Sequence, residues 1–175
     1  MGIPTNRESA TAIEAISTSG QYTPAFLILS GLVHLARWYK VKELHDDTAI
    51  YVSTTGYSND QLSLEWIEHF HQHSKNKARG ANRLLLLDGY GSHHTREFIR
   101  FCDNNGIIPF GLPPHTTHYL QPLDVVVFQP LKHYHAKALD IVVREGCTNI
   151  TKLEFLDFIQ EVRRQAFKTE TILST

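Results

Sequence analysis

RLLLLDGYGSHHTREFI, residues 83–99, is the stretch whose reading decides the fold. Four consecutive leucines closed by Asp88 form an apolar run too short for a buried helix and well suited to a central strand covered on both faces. The spacing after it predicts a helix over residues 95–104, with Phe98, Ile99 and Cys102 turned inward and Gly106 stopping it. A strand that ends in a carboxylate, passes through Gly89 and Gly91, and enters a helix puts Asp88 where open α/β sheets hold their ligands, at the carboxyl end of a strand. Glycines there let a ligand approach the backbone closely.

Downstream, residues 107–112 (IIPFGL) read as the next strand, followed by the loop PPHTTH. A helix opens at Pro122, a favourable first helical residue, and carries Leu123, Val126, Val127, Leu131 and Tyr134. Pro130 should kink or split it. Residues 154–167 form a further helix with Phe155, Phe158, Ile159 and Val162 as its stripe. Upstream, residues 9–17 alternate as a strand does, Ser19-Gly20 supplies a turn, and residues 22–29 return as the second strand of a hairpin, with Pro24 marking an edge or irregular start. Residues 48–53 make another short strand, and residues 59–74 a helix on which Leu64, Ile67, Phe70 and His71 recur. Residues 31–47 give no clear pattern. A hairpin followed by strand–helix–strand units argues for one α/β domain over residues 1–175, a mixed sheet flanked by helices.

Composition agrees with a soluble domain: 42% of the 175 residues are hydrophobic and 20% charged. The net charge of −1 offers no global basic field to nucleic acid, so strong sequence-specific DNA binding is expected from another segment. No apolar run approaches membrane length, and the first ten residues lack the apolar core of a secretory signal. Cys102 and Cys147 stand in no metal-ligand spacing and read as free thiols of a reducing compartment, cytosol or nucleus.

Asp124, in the first turn of the helix that opens at Pro122, is the second carboxylate of interest. Two hard oxygen ligands at one edge of a sheet suit Mg²⁺, which accepts one or two carboxylates and substrate phosphates. A pair of such ions activates an attacking oxygen and stabilises a leaving one. The plainer alternatives stay open from the residues alone: an Asp that ends a strand forms turns, and one in a first helical turn favours the helix dipole.

LLLLDGYGSHHTREFI (84–99), PPHTTHYLQPLDVVVFQPLK (113–132), GYSNDQLSLEWIEHF (56–70) and NRESATAIEAIS (6–17) together resemble the DDE superfamily endonuclease domain of pogo/Fot1-type transposases, within the Tc1/mariner superfamily. The resemblance covers nearly the whole chain in the family's order. It implies an RNase H-like fold and metal-dependent cutting and joining of DNA, with Mg²⁺ or Mn²⁺ as cofactor. Asp88 matches the family's second acid and Asp124 its third, with 35 residues between them. The family's first acid lies on a strand preceding the hairpin. Asp46 and Asp47 follow the hairpin and are no substitute for it. The reading therefore expects a sheet lacking its first strand, a domain clipped at both ends and a chain inactive alone. The alternative is a non-catalytic domesticated or relic DNA-associated protein. DNA is the implied partner, with a homo-oligomer admitted, no membrane, and the nucleus as location.

His93, in a block that matches the family, and His118, Gln121 and Lys132, by their places around Asp124, are the candidates for contacts with substrate. His93 either meets phosphate or orients Asp88, or else makes a structural hydrogen bond at a helix start. His115 and His118 lack a third soft ligand and read as loop structure or DNA proximity. Gln121 lines the site or satisfies backbone groups in the turn. His69 and His73, one helical turn apart, are expected on a solvated face rather than on zinc. Lys75, Lys77, Arg79 and Arg83 read as a solvated basic loop before they read as a phosphate contact.

Overall fold

The structure is a computed structural model, and it describes residues 9–78, 80–88, 95–113, 121–147 and 149–174. The strands are β1 (Ala10–Ile13), β2 (Phe26–Ser30), β3 (Ala49–Ser53), β4 (Arg83–Leu87) and β5 (Ile107–Gly111). The helices are α1 (Asp60–Ser74), α2 (Arg96–Asn104), α3 (Phe128–Arg144), α4 (Lys152–Ala166) and the short α5 (Thr169–Ile172). A single turn of π-helix, Leu123–Val127, precedes α3. Local chemistry explains the boundaries. The Asn59 side chain accepts from the Leu62 amide at 2.9 Å to start α1, and Thr95 does the same for Phe98 in α2. Thr151 and Glu154 close a capping box at the start of α4. Gly106 takes φ 62° after α2, and a Cβ there would meet the Ala81 carbonyl at 2.7 Å, so only glycine fits the turn into β5. Pro130 stands in the first turn of α3, where its missing N–H costs little, and the irregular π turn lies just before it.

The strands form two sheets instead of the single mixed sheet expected. β1 pairs antiparallel with β2, and β2 pairs parallel with β3; β4 and β5 make a separate parallel pair. Among the described residues no strand joins β1 to β4. One apolar cluster nevertheless runs beneath both sheets: Phe26 and Ile28 of the first and Leu85, Leu87 and Ile107 of the second share Leu62, Trp66 and Ile67 of α1 and Phe98 and Cys102 of α2. A second cluster covers the opposite face of the first sheet, where Leu27, Leu29, Trp38 and Ile50 meet Leu156, Ile159 and Val162 of α4. The segment at residues 31–47, unreadable from pattern, contributes a 3₁₀ turn (Ala36–Lys40) whose Trp38 enters this cluster.

Three expectations need correction. β2, not β4, is the strand buried on both faces: Phe26 to Leu29 are 0% exposed, whereas Leu84 and Leu86 of β4 are 64% and 42% exposed. β2 is also the middle strand of its sheet, and Pro24 lies outside it. The inward stripes sit slightly off their predicted positions: Leu62, Ser63, Trp66, Ile67 and His69 on α1, and Leu156, Ile159, Val162, Arg163 and Ala166 on α4, with Phe155 and Phe158 only partly covered. A 3.6-residue period fixes a face only to within a residue or so when large side chains flank it on both sides.

Candidate active site

Chain direction fixes where Asp88 lies. Tyr51 of β3 donates to Glu65 at 3.1 Å, and His69, one turn on, meets the Pro24 carbonyl at 3.0 Å, just ahead of β2. α1 therefore runs antiparallel to β2 and β3. Arg83, the first residue of β4, reaches back to the end of α1, donating to Ser74 Oγ at 2.7 Å and meeting His71 Nδ1 at 2.8 Å. β4 thus starts where β2 and β3 start, and runs with them. Asp88, half-buried, follows its last residue, and the Leu112 amide donates to the Leu87 carbonyl at 2.9 Å, so β4 and β5 end together beside it.

Asp124 lies elsewhere. It is half-buried in the π turn, where its amide donates to the Gln121 carbonyl at 3.0 Å. Its neighbours Leu123, Val126 and Val127 pack with Ile16, Tyr22, Phe167 and Ile172. That is the end of the first sheet where β2 begins, since Ile16 bridges Tyr22 below the hairpin. The structure therefore sets Asp88 and Asp124 at opposite ends of the strands and does not bring them together. Among the described residues no three His, Cys, Asp or Glu side chains are placed to hold a metal ion. A hard divalent cation suits the donor type of each carboxylate. Apart as they stand, the two do not make a metal centre.

The remaining candidates divide similarly. Gln121 is half-buried and serves the π turn through its backbone carbonyl. Lys132 is exposed on α3. His93 and His118, like His94, His115 and Arg79, lie outside the described residues. His69 is not solvated, as expected, but buried beside Phe26, with burial pushing its imidazole below the ordinary range. Its ring stands 4.5 Å from that of His73, centroid to centroid. Arg83 is not a free basic residue of the loop; it staples α1, β4 and the Asn105 carbonyl (2.8 Å) together and lies over the Phe70 ring.

Sequence reading missed one buried polar group altogether. Glu14 and Arg163 form a bidentate pair at 2.8 and 2.7 Å, both almost wholly buried, and Arg163 also donates to the Thr23 carbonyl at 2.8 Å. The Tyr22 and Phe167 rings, themselves in contact with centroids 5.1 Å apart, both lie against the guanidinium at 5.4 and 5.2 Å. Burial pushes the Glu14 carboxyl above its usual range, and Arg163 only partly offsets that. The partners are 149 residues apart, so no local pattern could have joined them.

Comparison with known proteins supplies the family. The model of the DDE superfamily endonuclease family matches residues 6–175. A curated protein of Cochliobolus lunatus, named MFS-type transporter clz9, is 36% identical over 172 residues, which is 98% of this chain and 19% of that protein. The chain thus spans about a fifth of the length of this relative. Among the described residues no helix is long and apolar enough to cross a membrane. No solved structure matches. With all but its first five residues matched, the chain belongs to the DDE superfamily endonuclease family.

Proposed function

We propose that the chain is the catalytic-domain portion of a pogo/Fot1-type transposase, cutting and joining DNA phosphodiesters with Mg²⁺ or Mn²⁺. The observation that carries this reading is the placement of Asp88, directly at the carboxyl end of β4 and beside the end of β5, in a chain whose family is an endonuclease. Asp88 and Asp124 would hold the metal, which when bound polarises a phosphodiester and lowers the pKa of an attacking water. The chain's own contribution would be the two carboxylate ligands, Asp88 from the carboxyl end of β4 and Asp124 from the turn before α3.

Such a site requires two movements from the arrangement described. A further strand between β1 and β4, carrying a third acid, unites the two sheets into one RNase H-like sheet above their shared core. The turn at Asp124 then comes to the Asp88 edge. Residues 113–120 separate β5's end from that turn, and eight residues of chain reach roughly 27 Å, against roughly 17 Å for a five-residue strand. The connection is therefore long enough for either placement. DNA, a nuclear location and assembly of more than one copy follow from this reading.

A second reading, a non-catalytic or relic DNA-associated domain, is favoured by one observation: Asp88 and Asp124 stand apart, with no three-ligand cluster among the described residues. Metal-dependent nicking of duplex DNA tests both. The chain alone should be inactive, whereas a longer polypeptide supplying the additional strand should nick, and Asp88→Asn or Asp124→Asn should lower its rate at least a hundredfold. A longer polypeptide that is folded and inert, or one indifferent to both substitutions, supports the second reading.

A further inference from the structure

The segment between β2 and β3 keeps cations and aromatic rings in water side by side. It leaves β2 at Gly31, whose amide donates to the Ser53 carbonyl at 2.8 Å, and returns to Thr48 at the start of β3. Residues 31–42, GLVHLARWYKVK, hold three cations and no carboxylate, in a chain whose net charge is −1. Arg37, Lys40 and Lys42 are exposed, as are His34 and Tyr39. The 3₁₀ turn Ala36–Lys40 buries only Trp38, which packs in the cluster of Leu27, Leu29 and Leu156. With three residues per turn, Arg37 and Lys40 stand one above the other, away from that anchor. Tyr39, next to Lys40, is tethered by its hydroxyl, which donates to the Ile50 carbonyl of the edge strand β3 at 3.4 Å and meets His34 Nδ1 at 3.1 Å. The His34 and Tyr39 rings lie nearly parallel, 9° between planes with centroids 6.4 Å apart, and Tyr39 is still 55% exposed.

Core packing does not account for a tyrosine ring held in place but left half in water. Nor are the cations spent on partners: among the described residues none of the three forms a salt bridge. Arg37 acts on one carboxylate, Glu154 of α4, which is lowered first by the Thr151 hydroxyl and last by Arg37. A free phosphate would use the cations and ignore the rings. A duplex keeps its base faces stacked inside and offers only its backbone. A single strand offers both phosphates and open base faces, and stacking on an aromatic ring tolerates any base. We propose that this turn on the outer edge of β3 is a docking surface for single-stranded DNA, with a base stacked on Tyr39 and neighbouring phosphates meeting Arg37, Lys40 and Lys42. The choice of DNA over RNA rests on the proposed function; the surface itself uses neither Asp88 nor Asp124.

Fluorescence anisotropy of labelled oligo(dT), titrated with the whole chain in EDTA, needs no metal and so reads this surface apart from nicking. Affinity should fall with salt along a log–log slope of about −2, three phosphates at about −0.7 each. Tyr39→Ala should weaken binding about tenfold, and Tyr39→Phe, which keeps the ring, should stay within about threefold of the wild type. Arg37→Gln with Lys40→Gln should leave the melting temperature unchanged and flatten the slope to about −0.7. A strand of abasic sites of the same length should bind about tenfold more weakly than oligo(dT). No anisotropy change at low salt overturns the proposal, as does oligo(dT) binding that none of these variants weakens. Equal affinity for the abasic strand, a duplex or oligo-glutamate overturns it too, because it reduces the surface to a charged patch. Tighter binding of oligo(rU) overturns the choice of DNA. Binding here beside an inert longer polypeptide would sink the proposed catalysis and not this surface; nicking without binding here would do the reverse.

Discussion

β2 and β4 are both short apolar strands, FLILS and RLLLL, and the protein treats them differently. β2 is covered by α1 on one face and by α4 on the other, and four of its five residues are 0% exposed. β4 shares the α1–α2 layer through Leu85 and Leu87, but its other face leaves Leu84 bare, next to Ile108 and Phe110 of β5 at 50% and 53% exposure. A run of apolar residues states that a strand prefers burial; it does not state how many layers the rest of the chain supplies. The second layer over β2 is α4, whose Leu156, Ile159 and Val162 pack on Leu27 and Leu29 and whose Arg163 pairs with Glu14 beside the hairpin, whereas Leu84 and Leu86 of β4 stay exposed.

The largest expected effect breaks the Glu14–Arg163 pair. Arg163→Met leaves Glu14 buried without its partner and should cost about 3–5 kcal/mol in chemical denaturation. The double variant Glu14→Leu with Arg163→Met should recover most of the loss, since a buried pair replaced by apolar groups is often near neutral. On the other side of the molecule Arg83→Ala removes hydrogen bonds from a partly exposed staple and should cost only about 1 kcal/mol. Equal losses at the two arginines would erase the contrast between the regions.

The next effect compares the strands themselves. Leu27→Ala, in the doubly covered strand, should cost about 2–5 kcal/mol through lost transfer energy and the cavity left behind. Leu86→Ala, on the half-bare face of β4, should cost well under half as much, because water already reaches the side chain. The comparison is sharpened by Leu85→Ala on the covered face of the same strand, which should resemble Leu27→Ala.

A smaller effect is pH-dependent and also belongs to the β2 side. His69, buried against Phe26 and facing His73, Asp47 and Arg163, has its imidazole pushed below the ordinary range by burial. As pH falls below about 6.5 the unfolded chain takes up a proton that the folded one still refuses. Stability is complete above that pH and declines on acidification until the folded pKa is reached, at up to about 1.4 kcal/mol per pH unit. Burial lowers His71 and His135 too, so the measurement is the difference between the wild type and His69→Gln. The variant should lose less stability than the wild type between pH 7 and pH 5; parallel losses would show that burial of His69 does not contribute.

Much of the layout was legible in the sequence because it depends on local chemistry. Asn59, Thr95 and Gly106 mark their helix ends by capping and turn geometry, and Pro122 opens its helix where expected. Asp88 was placed at a strand end because the leucine run that precedes it admits little else. The rest depended on contacts distant in sequence. Nothing near Asp124 states which end of the sheets its turn will pack against; that follows from Val127 meeting Ala166 and Phe167. His69 looked like a surface residue because its partner, the Pro24 carbonyl, lies 45 residues away. The division of the strands into two sheets was equally hidden, since pairing partners are chosen by the packed chain and not by the strand.

The smallest expected effect tests whether the bare face of β4 and β5 is bare in every context. Leu84→Lys, at 64% exposure, removes no packed contact in this chain, so its stability should stay within about 0.5 kcal/mol of the wild type. Four large apolar side chains on one small sheet also favour self-association, so the lysine should raise solubility at high concentration. In a longer polypeptide the same substitution distinguishes two cases. If an added element lies over this face as α4 lies over β2, Leu84→Lys must bury a charge and should cost several kcal/mol. If the cost stays near zero, the face remains open to water, and the asymmetry between β2 and β4 is a property of the domain itself.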